Sequence, residues 1–143
     1  MRKLILQMQI SVDGLAAAAK NADIKWQIWD WGDKCDWDEK LKCDFNAVYA
    51  SVDTILLSRK MVKGGFIDHW TDAAVKYPED PFYKFAHKIV NIEKVVVTNK
   101  SFKSTWERTV ILKGEFTKTI QKINGVQART SSSLVVSASL LRS

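Results

Sequence analysis

Two short segments of the sequence place polar and basic side chains directly after an apolar run. They are Ile55-Leu56-Leu57-Ser58-Arg59-Lys60 and Val95-Val96-Val97-Thr98-Asn99-Lys100. A serine can cap a helix, and guanidinium and ammonium groups form charge-assisted hydrogen bonds with phosphate oxygens. If both runs are buried parallel strands, the two polar segments share the sheet edge at which open α/β sheets bind phosphates.

Each segment also has an interpretation without a ligand. A capped helix with two basic residues in its first turn is common, and taken alone the segment at Ser58 favours that interpretation. The segment at Thr98 is, by itself, more typical of a plain strand end and turn. The two together are stronger evidence, because one dinucleotide spans the ends of two neighbouring strands.

Other chemistry in the sequence is sparse. Asp13 is the only carboxylate placed for a role at a ligand crevice, and its position alone favours a simple Asp-Gly turn. Neither a G-x-S-x-G nor a P-loop pattern occurs. Cys35 and Cys43 lie eight residues apart in a segment that reads as helical, too far apart for a disulfide. The histidines and cysteines do not have zinc-ligand spacing, so no metal site is predicted.

Size and charge limit the class of protein. With 143 residues, 46% of them hydrophobic, the chain suits one globular α/β domain. No apolar run approaches the ~20 residues that span a bilayer, and no signal-peptide pattern is present, so we expect a cytoplasmic protein without membrane contact. The net charge of +6 suits an anionic ligand, but the lysines are scattered among acidic residues, which argues against nucleic acid. The expected partner is a small-molecule substrate, and a homodimer is left open.

Hydrophobic periodicity predicts strands alternating with helices, which is typical of a mostly parallel sheet covered on both faces. The predicted strands are Lys3–Ile10, Asp53–Leu57, Lys94–Thr98 and Thr109–Leu112. The predicted helices run from a cap at Asp33 to about Ser51, over Ser58–Lys63, over Phe82–Val90, and from Phe116 to a stop at Asn124-Gly125. The stretch Phe66–Pro81 is predicted to be a loop.

The order of these segments resembles the dihydrofolate-reductase-like family, which includes the reductase domain of the bifunctional riboflavin-biosynthesis deaminase-reductase. The matching stretches are RKLILQMQISVDG, VDTILLSRKM followed by GGFIDHW, EKVVVTNKSF, and TVILKGEFTKTIQKI. The likeness runs from Arg2 to about Gln127. It implies a three-layer α/β/α fold with a mostly parallel central sheet, and an NADPH-dependent reductase acting on a pterin- or pyrimidine-like heterocycle.

The resemblance also implies roles for individual residues. Those by the cofactor phosphates would be Ser58, Arg59, Lys60 and Met61, and those near its adenosine half would be Thr98, Asn99 and Lys100. Asp13 would lie toward the nicotinamide and the substrate, as the catalytic candidate. The family usually has glycine at the position of Ser58. With a side chain at this position, we expect less room for the backbone to approach a phosphate here.

The C-terminal segment departs from the family pattern. After the last predicted helix the family has a core strand with two glycines, roughly G-K-D-I-I-V-Y-G-G, whereas this chain reads ARTSSSLVVSAS. A one-base shift of reading frame near Gln127 would convert a compatible set of codons into the family motif. We therefore expect a partial reductase domain over residues 1–127 and an aberrant tail over 128–143, with the sheet incomplete at the C-terminus.

This departure leaves alternatives open. Without the glycine motif we expect weak or absent NADPH binding, because the motif would present a helix N-terminus to the pyrophosphate. The chain could then be a non-catalytic truncated remnant, or a small basic interaction module.

Overall fold

Among the residues that the structure describes, the apolar runs form five strands. The computed structural model describes residues 3–7, 37–114, 116–125 and 133–137. The strands are Lys3–Gln7 (β1), Val52–Ser58 (β2), Glu93–Val97 (β3), Thr109–Leu112 (β4) and Ser133–Ser137 (β5). The helices are Glu39–Ala50 (α1), Arg59–Lys63 (α2), Phe66–Lys76 (α3), Lys84–Asn91 (α4) and Phe116–Gly125 (α5), with a 3-10 turn at Pro81–Tyr83.

The strands form one sheet in the order β1-β5-β2-β3-β4, and every neighbouring pair is parallel. Ser58 at the end of β2 is level with Val97 at the end of β3, and Val97 is level with Leu112 at the end of β4. The three strands therefore end side by side at one edge. The predicted parallel sheet is confirmed.

Helices cover both faces of the sheet, as the three-layer prediction required. Successive strand residues point to opposite faces. On the first face, Ile55, Leu57 and Val96 pack in the larger core with α1, α3 and α4. On the second face, Leu56 and Val95 pack against Ile120 and Ile123 of α5.

Aromatic rings fill the larger core between the helices and the sheet. Trp70 of α3 and Phe85 of α4 are each 1% exposed, and their ring centroids lie 5.2 Å apart in an edge-on arrangement. Trp37, just before α1, stacks 6.0 Å from Phe85. Edge-on and offset pairs are favourable beyond the area they bury. They join α1, α3 and α4 into one layer.

Asn46 of α1 ties that layer to the start of α4. Its amide nitrogen donates to the carbonyl oxygens of Pro81 and Phe82, at 3.0 and 3.3 Å, and its Oδ1 accepts from the Phe85 backbone N–H at 2.8 Å. The bond to Asn46 satisfies the backbone N–H of Phe85, which lies in the first turn of α4 and has no partner within the helix. Tyr83, the N-cap residue of α4, makes no side-chain cap bond. Asn46 thus caps α4 from another helix.

The C-terminal end of α4 is capped by two cations. Lys94, 1% exposed, donates from Nζ to the carbonyl oxygens of Val90 and Ile92, and Arg108 Nη1 donates to Asn91 O at 2.9 Å. Positive charge is favourable at this end of a helix because the terminal carbonyls carry partial negative charge. Burial lowers the pKa of Lys94, and the nearby Arg108 lowers it further, while Glu107 raises it.

The loop prediction for Phe66–Pro81 is wrong over most of its length, because Phe66–Lys76 forms α3. Its buried residues are Phe66, Ile67, Trp70, Ala73 and Ala74, which recur at helical spacing. The charged residues between these buried positions lie on the outer face of an amphipathic helix. Only the segment that follows, toward Pro78 and Pro81, lacks α-helix.

The first helix also begins later than predicted. Asp38 caps α1, because its Oδ1 accepts from Leu41 N at 2.7 Å, and the helix begins at Glu39. Asp33 itself lies outside the described residues, as do the last three residues of the predicted strand Lys3–Ile10. The remaining predicted strands and helices agree with the structure to within two residues at each end, except that Pro81–Tyr83 is a 3-10 turn.

The segment after Gln127 contributes a strand to the sheet. Ser133–Ser137 forms β5 and lies between β1 and β2, parallel to both. The expectation that the central strand would be missing is therefore wrong for the chain as it stands. The reading-frame hypothesis concerns the gene and stays a prediction.

Candidate functional site

Ser58 joins β2 to α2 and caps that helix. Its Oγ accepts from the Met61 backbone N–H at 3.2 Å. Its φ of −79° is an ordinary conformation for a residue with a side chain, so a serine is accommodated here without backbone strain. The hydroxyl already accepts the capping hydrogen bond. The positive charge at this strand end comes from the neighbouring basic side chains.

Met61 differs from the other predicted phosphate residues. Its side chain is 1% exposed and belongs to the larger core. Its backbone N–H is bonded to Ser58. Met61 therefore fixes the position of α2 and presents no side-chain atom at the edge of the sheet.

Thr98 and Asn99 organise the turn after β3. Thr98 is 8% exposed, and its Oγ1 accepts from the Lys100 backbone N–H at 3.1 Å. The Oδ1 of Asn99 accepts from the Gly114 N–H at 3.1 Å, which links the end of β3 to the turn after β4. Gly114 has a φ of 136°, a conformation that favours glycine. These side chains hold the turns in shape, and Lys100 follows them as an exposed cation.

The two predicted segments lie on neighbouring strands, as the sequence suggested. Ser58 and Val97 are register partners, so the segment that begins at Ser58 and the one that begins at Thr98 leave the sheet side by side. Neighbouring strands are separated by about 4.8 Å, and the ends of β2, β3 and β4 together span about 10 Å.

Positive charge collects at this edge of the sheet. The described residues that follow β2, β3 and β4 here are 59–65, 98–104 and 113–114, and they contain no acidic side chain. They contain six basic ones, namely Arg59, Lys60, Lys63, Lys100, Lys103 and Lys113. We call this group the basic edge. Asp68 of α3 and Glu107 each lie three residues beyond these ranges, and Asp68 accepts a hydrogen bond from Trp106 Nε1 at 3.1 Å.

The opposite edge of the sheet has mixed charge. Asp53 and Glu93 lie near the starts of β2 and β3, and Glu107 and Arg108 precede β4. A polyanion is therefore attracted to the basic edge more than to the opposite one. The helix α2 has only five residues, so its dipole adds little, and the attraction comes from side chains.

Lys113 was not among the predicted site residues. It follows β4 directly, as Lys100 follows β3 after two polar residues. The sequence signal was present in TVILK, where a lysine again ends an apolar run. Asp13, the predicted catalytic residue, lies outside the described residues, as does the segment from Leu15 to Gly32 that was expected to face the substrate.

Other site types find little support in the described part of the chain. No group of three or more potential metal ligands occurs there. None of its helices is both long and apolar enough to cross a membrane. A cavity of about 420 Å³ lies between α1 and α4, lined by Asn46, Ala47, Tyr49, Ala50, Lys84, Phe85 and Lys88, and it does not include the basic edge.

The sequence matches the RibD C-terminal domain family over residues 2–141. The chain therefore belongs to that family, and the predicted resemblance is confirmed. A comparison with curated proteins gave no match. Among solved structures, the chain is similar to a protein from Shewanella sp. PV-4 that is assigned by name to riboflavin biosynthesis, at 16% sequence identity and a TM-score of 0.49. That match covers 96% of this chain and 65% of the Shewanella chain.

Proposed function

We propose that this chain is a reductase-type domain of riboflavin biosynthesis and that its basic edge binds the phosphate groups of NADPH. The family to which it belongs supports the reductase class. The observation that carries the proposal is that the described residues 59–65, 98–104 and 113–114, which follow three adjacent parallel strands, include six basic and no acidic side chains. NADPH carries a pyrophosphate and an additional 2′-phosphate, and these are the groups that such an edge attracts.

The residues divide into two roles under this proposal. Arg59 and Lys60 after β2, with Lys100 after β3, would bind phosphate oxygens through charge-assisted hydrogen bonds. Ser58, Thr98 and Asn99 would act as positioning residues, because their side-chain oxygens hold the turns that carry those cations. Met61 would support α2 from the core.

The bound cofactor would supply a hydride, and the substrate would be a pterin- or pyrimidine-like heterocycle. By resemblance, Asp13 would lie toward the nicotinamide and the substrate and would orient or protonate the acceptor ring. Replacing it with asparagine should then leave NADPH binding within about twofold and lower any NADPH oxidation. A D13N variant that loses cofactor binding instead would contradict this role.

We expect the affinity for NADPH to be modest. The residues after β5 are Ala138 and Ser139, not glycines, so the backbone at that strand end cannot approach a phosphate as glycine allows. We therefore expect saturable binding with a Kd weaker than about 1 µM, a threshold that corresponds to about −8 kcal/mol.

Titration of the full chain with NADPH, followed by calorimetry or by nicotinamide fluorescence, tests the proposal. Arg59→Ala and Lys100→Ala should each raise Kd by about three- to tenfold, since one lost charge-assisted contact is worth about 1 kcal/mol. Lys88→Ala on α4 is the matched control and should leave Kd unchanged within about twofold. NADH, which lacks the 2′-phosphate, should bind more weakly than NADPH. Equal effects of all three lysine and arginine variants would refute a specific site.

A further inference from the structure

The cavity between α1 and α4 opens at the protein surface, and no residue of the basic edge lines it. Its volume is about 420 Å³. Small organic ligands occupy pockets of about 300–1,000 Å³, so the cavity is large enough for one such molecule. Ala47 and Ala50 of α1 line it together with Lys84 and Lys88 of α4, and all four are exposed. These residues form the mouth of the cavity.

The inner wall of the cavity is apolar. Tyr49 of α1 and Phe85 of α4 line it from the two helices, and each is 1% exposed. The Tyr49 hydroxyl donates to Gln7 Oε1 at 3.4 Å. The amide of Asn46, which also lines the cavity, is held by the backbone bonds that cap α4. Because aromatic side chains pack favourably against other rings, this wall favours an aromatic body over a polar one.

The mouth of the cavity carries positive charge. Lys84 and Lys88 are four residues apart on one helix, so both side chains lie on the same side of α4. Neither forms an ion pair with another described residue. Two acids close in sequence already have partners, since Asp44 pairs with Lys40 at 2.6 Å and Asp80 accepts from a backbone N–H at 2.8 Å. The two ammonium groups are therefore available to an anion.

We propose that this cavity binds a small aromatic carboxylate. The ring system lies against Tyr49 and Phe85, and the carboxylate accepts charge-assisted hydrogen bonds from Lys84 and Lys88. A cation of the same shape is disfavoured, because two ammonium groups face it. The proposal does not rest on the proposed function, and a ligand here and NADPH at the basic edge should bind independently.

A second copy of the chain is a less suitable occupant of the cavity. Most homodimers are symmetric, so the same surface of both copies would meet. Lys84 and Lys88 of each copy would then approach the same residues of the other. Such juxtaposed like charges oppose association.

Titration of the full chain with 2-naphthoate, followed by amide chemical shifts, tests the proposal. We expect saturable shifts over residues 46–50 and 84–88, with a Kd of about 1 mM or tighter for a ligand of this size. The matched control ligand is 2-naphthylmethylammonium, which has the same ring system and a positive charge. It should bind at least about tenfold more weakly. Acetate, which has the carboxylate without the ring system, should not saturate.

Variants at the mouth separate the two parts of the proposed recognition. Lys84→Gln combined with Lys88→Gln should raise the Kd of 2-naphthoate about three- to tenfold and abolish its preference over the ammonium. Ala47→Leu, which narrows the mouth, should weaken both ligands. Lys118→Gln is the matched control, because Lys118 is an exposed lysine of α5, on the second face of the sheet. All these positions are exposed, so urea unfolding should be unchanged.

Several results would overturn the proposal. They are the absence of saturable shifts at the cavity residues, equal binding of the naphthoate and the ammonium, and an equal loss of binding in the Lys118→Gln variant. Displacement of 2-naphthoate by NADPH would also overturn it, because the two ligands would then share a site. Cavity shifts that depend on protein concentration without any ligand would overturn it in favour of a second copy.

Discussion

Replacing Lys94 with methionine should destabilise the chain and change how its stability depends on pH. Methionine keeps the length and apolar stem of the side chain but removes both hydrogen bonds to the carbonyl oxygens of Val90 and Ile92. Leaving a buried acceptor unsatisfied costs about 1–3 kcal/mol, and two are affected. Part of that cost is offset because a buried ammonium is no longer desolvated. We expect a net loss of about 2 kcal/mol at pH 7.

The pH dependence follows from the direction of the pKa shift. Burial lowers the pKa of Lys94 in the folded chain below its ordinary value of 10.5. Between the folded and unfolded values the unfolded chain binds more protons, so Lys94 makes the folded state more stable as pH rises. The methionine variant lacks this gain. The difference in unfolding free energy between wild type and variant should therefore increase toward pH 10.

Urea unfolding monitored by tryptophan fluorescence, at pH 7 and again near pH 10, measures both effects. Taking the difference between two chains cancels the other titrating groups, including Tyr49, whose pKa is raised by burial. Lys88→Met, an exposed position on α4, is the control and should change stability by less than about 0.5 kcal/mol. A Lys94→Met variant as stable as wild type would refute the cap. A difference that shrinks as pH rises would refute the lowered pKa of Lys94.

Three further changes test other parts of the fold. Asn46→Ala should cost about 2–3 kcal/mol in urea unfolding, because two carbonyls and one first-turn N–H lose their partner; a loss under about 0.5 kcal/mol would contradict this. Arg108 has a φ of 52°, so Arg108→Gly should be about 1 kcal/mol more stable than Arg108→Ala, and the reverse order would be unexpected. Trp106→Phe removes the bond to Asp68 and should speed amide hydrogen exchange in residues 98–108 with little change in global stability.

Much of the sheet could be predicted from the sequence because its signals are local. The strands β2, β3 and β4 are continuous apolar runs with polar residues at both ends, and such runs are typical of parallel strands buried on both faces. Their common direction followed from the alternation with helices. The position of the basic edge then followed from the topology, since parallel strands end together.

Other features depend on contacts between distant parts of the chain and could not be predicted locally. The helix α3 was mistaken for a loop because prolines follow it and charged residues interrupt its apolar positions, although the apolar positions have helical spacing. Asn46 contacts residues more than thirty positions away, and nothing in its neighbourhood marks it as a cap. The resemblance to the family also led to a wrong expectation at Ser133–Ser137. Because this segment lacks the family's glycine motif, a strand was expected to be missing, but the apolar residues Leu-Val-Val form one.

The structure divides the predicted cofactor residues into two groups. The sequence proposed seven residues for the cofactor, and the structure separates those that carry exposed charge from those that shape the turns. Lys100 and Lys60 are exposed cations, whereas Thr98 and Met61 are buried. Mutations in the two groups should therefore have different effects. Removing a charge should weaken NADPH binding, whereas removing a turn contact should also lower the stability of the fold.

The most direct test of the account is to map NADPH binding onto the backbone by amide chemical shifts in the full chain. We predict saturable shifts in Ser58–Met61 and Thr98–Lys100, with smaller ones near Lys113, and no comparable change at Lys84 and Lys88 beside the cavity between α1 and α4. Shifts confined to that cavity, or none at millimolar NADPH, would contradict the assignment of the basic edge as the cofactor site.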